Sequence, residues 1–200
     1  MNSNFNYVNY IKWINYHTEW GIDMKIGLVR HFKVDLKKDF FMTSEKYNQY
    51  MIEYEKRDII PNELVIDKEW DKCYCSSMQR AITTAKTIYH GDIIVTNRLV
   101  EISFAAMISS KIPLPYHFWT LINRIAWFRD HVSQPEGRTK TLKRINEIID
   151  EILEQQDKNI LIVSHAGALY EIRKILKRKG FTGHRFIKAR NGKLYVMENS

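Results

Sequence analysis

The sequence predicts an α/β fold, a three-layer sandwich whose mostly parallel central sheet is flanked by helices and closed by a C-terminal antiparallel hairpin. Three observations carry that expectation. Four short runs rich in apolar and β-branched residues read as strands buried on both faces, the pattern of a parallel sheet. Between them lie segments with apolar residues at i, i+3, i+4 and i+7, the mark of a single buried helix face. Near the C-terminus Asn191-Gly192 separates two strand-like runs, the strongest short hairpin signal.

The strands are expected at Lys25 to Arg30, Lys72 to Cys75, Asp92 to Thr96 and Asn159 to Ser164. One helix is expected over Ser44 to Glu55, with Thr43 or Ser44 supplying the N-cap oxygen. Others follow from Met78, Ala81, Ile82, Ala85 and Ile88, from Leu142, Ile145, Ile148, Ile149 and Ile152, and from Leu169, Ile172, Ile175 and Leu176. The aromatic stretch from Phe104 to Gln134 reads as one or two core helices, because Leu121, Ile122, Ile125 and Phe128 have helical spacing. The sharper alternative makes Phe118, Trp119 or Trp127 part of a lid over an apolar leaving group.

Two hundred residues, 44% hydrophobic and 27% charged, suffice for one domain with its own core. The domain is placed at residues 24–200, after an aromatic extension, residues 1–23, that lacks the basic start and continuous apolar core of a signal peptide. That extension either packs on the domain or is read-through from an upstream start. No apolar run reaches membrane-spanning length.

A net charge of +8 favours acidic partners. The densest basic cluster, Arg173 to Gly180, falls where a helix C-terminus welcomes cations, and no nucleic-acid-binding motif accompanies it. Neither a nucleic-acid nor a membrane partner is therefore expected, and no signal for an oligomeric state was found. Cys73 and Cys75 on one strand face form no disulfide framework and have no companion metal ligands nearby, so buried reduced thiols in a cytoplasmic protein are expected.

In sheets of this kind ligands bind beyond the carboxyl ends of the strands. Arg30 and His31 end the first strand in "LVRHFKV", and His165 ends another in "LIVSHAG". Arg80, in "CSSMQRAITTA", stands on the first turn of a helix, where its guanidinium can join backbone N–H groups in holding an anion. Glu101, in "RLVEISF", brings a carboxylate to the same edge. Ser76 and Ser164 lie in no nucleophile elbow, which argues against a serine hydrolase.

Those four segments, in that order and at suitable intervals, resemble the signatures of the histidine phosphatase superfamily, also called the phosphoglycerate-mutase-like family. The resemblance implies a phosphomonoester hydrolase acting on a small phosphorylated metabolite through a phosphohistidine, with no metal or other cofactor. It implies His31 as nucleophile, Arg30 and Arg80 as phosphate clamps, His165 as the second pocket histidine and Glu101 as general acid. The usual R-H-G-x-T is here Arg30-His31-Phe32-Lys33-Val34, so Phe32 is expected to reshape the pocket wall, and Lys33 either adds charge toward the substrate or points to solvent. The segment "PEGRT" resembles the family's G-E-S, which makes Glu136 the match to its glutamate. The alternatives are a mutase that returns the phosphoryl group to a second hydroxyl, and a phosphate-binding module without turnover.

Overall fold

The computed structural model describes residues 24–62, 64, 66, 70–155 and 159–199, so the expected extension lies outside the described residues. In chain order the elements are β1 (Met24–Arg30), β2 (Phe41–Met42), α1 (Ser44–Lys56), β3 (Lys72–Ser76), α2 (Gln79–Ile88), β4 (Ile93–Thr96), β5 (Leu114–Pro115), α3 (Tyr116–Phe128), α4 (Arg138–Leu153), β6 (Asn159–Ser164), α5 (Ala166–Arg178), β7 (Thr182–Gly183) and β8 (Leu194–Asn199). The main sheet has the order β4-β3-β6-β1-β8-β7. Its first four strands run parallel, whereas β8 pairs antiparallel with both β1 and β7.

Strand alternation sorts the central side chains into two layers. Ile160 and Ile162 of β6, Ile26 and Leu28 of β1 and Tyr74 of β3 join the core built with α4 and α5. Leu161 and Val163, Val29, Cys73 and Cys75 face the other way, onto Ala81 and Ala85 of α2 and the Trp70 ring. Burying each such aliphatic side chain stabilises the fold by roughly 1.5–3 kcal/mol. Gly27 is where Trp70 crosses β1, since a Cβ there would sit 2.5 Å from the indole. A smaller third cluster joins Met42, Tyr47 and Trp119 from β2, α1 and α3. The expected three-layer α/β arrangement is thus present.

Local chemistry sets the start of α1. Thr43 caps α1, its Oγ1 accepting from Lys46 N at 3.2 Å. Both thiols are free and buried, and burial pushes Cys73 up to about 12.

Three expectations need correction. The C-terminal pair is a wide β7–β8 connection and not a two-residue turn at Asn191-Gly192. Those residues instead dock beside β1: Asn191 bridges Arg30 in parallel and Gly192 N donates to Arg30 O at 2.9 Å, with Gly192 at φ 58°. The strand β4 is not buried on both faces, because it pairs only with β3 at the sheet edge, leaving Ile94 38% and Val95 48% exposed. In α3 the helix is present but its buried face differs. Trp119, Asn123, Ala126 and Trp127 turn inward, whereas Leu121 (60%) and Phe128 (61%) face out. The indoles decide the rotation, since each buries its ring and finds an acceptor: Trp119 Nε1 donates to Met42 O at 2.9 Å and Trp127 Nε1 to Thr141 Oγ1 at 3.0 Å. Those bonds fix both tryptophans in the core and not in a lid.

Candidate active site

Parallel pairing of β1 with β6 puts Arg30 opposite Ser164, so the next residue of each strand, His31 and His165, emerges side by side. Their ring centroids lie 5.0 Å apart at an interplanar angle of 53°. His31 N donates to Ser164 O at 3.0 Å, extending the ladder one residue past the strand.

The His31 ring is buried and its Nδ1 lies 2.6 Å from Phe32 O. A carbonyl only accepts, so Nδ1 carries the hydrogen and Nε2 keeps its lone pair. Burial, then the charges of Arg80 and Arg30, lower the imidazole to a pKa of about 3, although the Phe32 carbonyl pulls the other way. His31 is therefore a neutral imidazole at physiological pH, with Nε2 unprotonated. His165 forms the N-cap of α5, and its Nε2 lies 2.8 Å from Ser76 Oγ. Burial, then the neighbouring His31 and Arg80, hold it well below the ordinary histidine range.

Arg80, in the first turn of α2, is buried with its guanidinium 5.2 Å over the Tyr54 ring. Arg30 Nη1 donates to Ala189 O at 3.0 Å. Seven buried side-chain polar atoms lack a hydrogen-bond partner among the described residues, and four of them are Arg30 Nε, Arg80 Nε, Arg80 Nη1 and His165 Nδ1. An unsatisfied buried donor costs about 1–3 kcal/mol, so four on three neighbouring side chains mark a site that suits a ligand rich in acceptors. The oxygens of a phosphoryl group fit such donors.

Glu101 follows the 3-10 turn Asn97–Leu99 and reaches the start of α5. Its Oε1 accepts from Ile102 N at 3.0 Å, Gly167 N at 3.0 Å and Ala168 N at 3.2 Å, while Oε2 has one longer contact, 3.3 Å from Gly167 N. The carboxylate thus sits at the positive end of the helix that begins beside His165. A Cβ on Gly167 would lie 2.8 Å from Oε1, which accounts for the glycine in "SHAG".

The structure brings together Arg30, His31, Arg80, Glu101 and His165. Lys33 does not join them: its side chain is exposed and lines a cleft of about 330 Å³ with Ile60, Pro61, Asn62 and Asn191. The Phe32 ring is buried toward Gly192, where a Cβ would come within 2.8 Å of it, and so packs against the β7–β8 connection. Glu136 receives Nε and Nη2 of Arg144 at 2.7 and 2.8 Å, an ion pair that ties the start of α4 to Arg98 O through Arg144 Nη1.

Three supporting residues escaped the sequence reading. Ser76 partners His165. Thr84 Oγ1 accepts from Phe32 N at 2.9 Å and donates to Arg80 O at 2.7 Å, coupling the His31 loop to the helix that carries Arg80. Asn191 Nδ2 donates to His31 O at 2.7 Å and Phe32 O at 3.3 Å. The i, i+4 spacing of Arg80 and Thr84 was the only signal available for any of them.

Residues 62–199 match the family model described as histidine phosphatase superfamily (branch 1). The chain belongs to the histidine phosphatase superfamily. Arg30 and His31 precede the matched residues, so the pairing of β1 with β6 is what attaches them to the family's fold. Over 119 residues this chain is 28% identical to a Hydrogenobacter thermophilus protein provisionally named phosphoserine phosphatase 2, covering 54% of the chain and 56% of that relative. It thus spans just over half the length of that curated relative. The fold is similar to a crystal structure from Escherichia coli K-12, provisionally named alpha-ribazole-5′-P phosphatase (TM-score 0.55, 20% identity, 86% of this chain and 89% of that one). It is also similar to the alpha-ribazole phosphatase of Shigella flexneri (TM-score 0.52, 20% identity, with 86% and 89% covered).

Proposed function

We propose that this chain hydrolyses small phosphate monoesters through a phosphohistidine on His31. The observation that carries the reading is the neutral His31, hydrogen on Nδ1 and lone pair on Nε2, beside four partnerless donors of Arg30, Arg80 and His165. Nε2 attacks phosphorus in line with the ester oxygen, and the P–O bond breaks as the N–P bond forms. The donors hold the non-bridging oxygens, with Ser76 Oγ–H bonded to His165 Nε2 so that Nδ1–H faces the phosphoryl group.

Glu101 protonates the leaving oxygen and then takes a proton from the water that attacks the phosphohistidine, the new P–O bond forming as the N–P bond breaks and its electron pair returns to His31 Nε2. Oε2 is the oxygen for that transfer, because Oε1 already takes three backbone bonds. The chemistry needs nothing beyond these side chains. Among the described residues no helix is long and apolar enough to cross a membrane. The two free thiols suit a reducing compartment, and the cytoplasm is the location that goes with this reading.

The test is release of p-nitrophenol from its phosphate ester, with chelator present and His31→Ala in parallel. Chelator-resistant turnover, absent from the variant, is expected. Turnover that survives in a folded His31→Ala protein overturns the assignment.

A further inference from the structure

Arg80 is a buried cation to which, among the described residues, no carboxylate is paired. Its Nη2 donates to the Met78 thioether at 3.4 Å, a weak acceptor, and its Nε and Nη1 have no partner there. The nearby carboxylates are engaged elsewhere: Glu55 accepts from Ser103 Oγ at 3.3 Å, and Glu101 from the N–H groups of α5. What lies against the guanidinium is the half-buried Tyr54, whose ring centroid is 5.2 Å from the guanidinium carbon.

That ring is itself held in place. Tyr47, Tyr50 and Tyr54 follow the i, i+3, i+7 spacing of one face of α1. Tyr47 stacks on Trp119 at 5.7 Å and 26°, and the Trp119 indole is fixed to Met42 O. Tyr116, the first residue of α3, meets Tyr47 at 6.1 Å and Tyr50 edge-on at 5.9 Å, and Tyr50 lies 6.1 Å from Tyr54. An unbroken row of rings therefore runs from the third core cluster to Arg80.

A ring does for this arginine what a carboxylate could not. A carboxylate would occupy two N–H donors in a bidentate pair and offset the charge that an incoming anion needs. An aromatic face attracts the guanidinium through its quadrupole and supplies no oxygen to take those donors.

We propose that Tyr54 is a positioning residue for Arg80, holding the guanidinium by its ring face so that Nε and Nη1 stay available to a phosphoryl group. It acts through Arg80 and touches no reacting atom. The proposal rests on the phosphatase reading for what those donors bind.

The experiment is titration with inorganic phosphate, followed by amide NMR shifts, so that binding is read apart from turnover. The proteins are the wild type, Tyr54→Leu, Tyr54→Phe and the same phenylalanine variant with a pentafluorinated ring. Fluorination keeps the shape of the ring but drains the electron density from its face, so it removes the attraction for a cation and leaves the packing. Tyr54→Phe is expected to bind phosphate within about twofold of the wild type, and both the leucine and the fluorinated variants about fivefold more weakly. Fluorinated and plain rings of equal affinity would show that Tyr54 only fills space, which overturns the proposal, and so would a Tyr54→Phe loss as large as that of Tyr54→Leu. Should Tyr54→Leu fail to fold, the two phenylalanine rings decide the matter by themselves. The expected pattern without p-nitrophenyl phosphate turnover in the wild type sinks hydrolysis alone, whereas a wild type that binds no phosphate sinks both readings.

Discussion

Asn191 Nδ2 donates to His31 O at 2.7 Å and also reaches Phe32 O, the carbonyl that receives the His31 Nδ1 hydrogen. One amide from the β7–β8 connection therefore fixes both the backbone that carries His31, the proposed nucleophile, and the acceptor that sets its tautomer. Replacing Asn191 by Ala is expected to lower kcat by about tenfold with little change in KM, the size usual for loss of a histidine's orienting partner. Steady-state kinetics read the split. A change confined to KM would show that Asn191 acts on substrate binding instead.

Arg80→Lys separates charge from geometry. Lysine keeps one positive charge but cannot present the Nε and Nη1 donors together. A fall of about a hundredfold in kcat/KM is expected, since two charge-assisted hydrogen bonds are worth roughly 1.5–3 kcal/mol each when lost from a buried site. A loss under threefold would show that the fork is not used.

Glu101→Gln keeps an acceptor for the α5 N–H groups but cannot deliver a proton. Its effect should depend on the leaving group. For alkyl phosphates, whose alkoxides need protonation, kcat should fall by about a hundredfold or more. For p-nitrophenyl phosphate, whose phenolate leaves unaided, the loss should be far smaller. Equal losses on both esters would remove Glu101 from the proton-transfer role.

The neutral histidines make stability depend on pH. His31 has an ordinary pKa of 6.5 and a folded value of about 3. Between those values the unfolded chain binds a proton that the native chain does not, so the stabilisation is complete above about pH 6.5 and declines as pH falls. His165, also held low, acts in the same direction. Thermal unfolding of His31→Gln should therefore show a shallower fall in Tm between about pH 6 and about pH 4 than the wild type. Parallel curves would contradict the burial argument.

Each element was legible in the sequence to the extent that the contacts determining it are local. β1 and β6 were legible because strands buried on both faces are apolar throughout, and Arg30, His31 and His165 were placed by the strand ends alone. Arg80 and Glu101 were also placed at the correct edge, but nothing local showed that Glu101 reaches across to Gly167 and Ala168 of α5. Asn191-Gly192 misled for the same reason: its turn chemistry was read correctly, yet the left-handed Gly192 serves a close approach to Phe32 and not a tight hairpin. In α3, spacing identified the helix, but the need of Trp119 and Trp127 for buried acceptors chose its inner face. Long-range hydrogen bonds leave no periodic trace in the chain.

On the proposed reading the partnerless donors of Arg30, Arg80 and His165 hold the oxygens on phosphorus and take no account of the alcohol attached to it. Orthophosphate offers those oxygens as readily as an ester does, so the product competes for the pocket that released it. Turnover through such a pocket would be self-limiting as phosphate accumulates, its rate following the ratio of ester to phosphate more closely than the amount of ester alone.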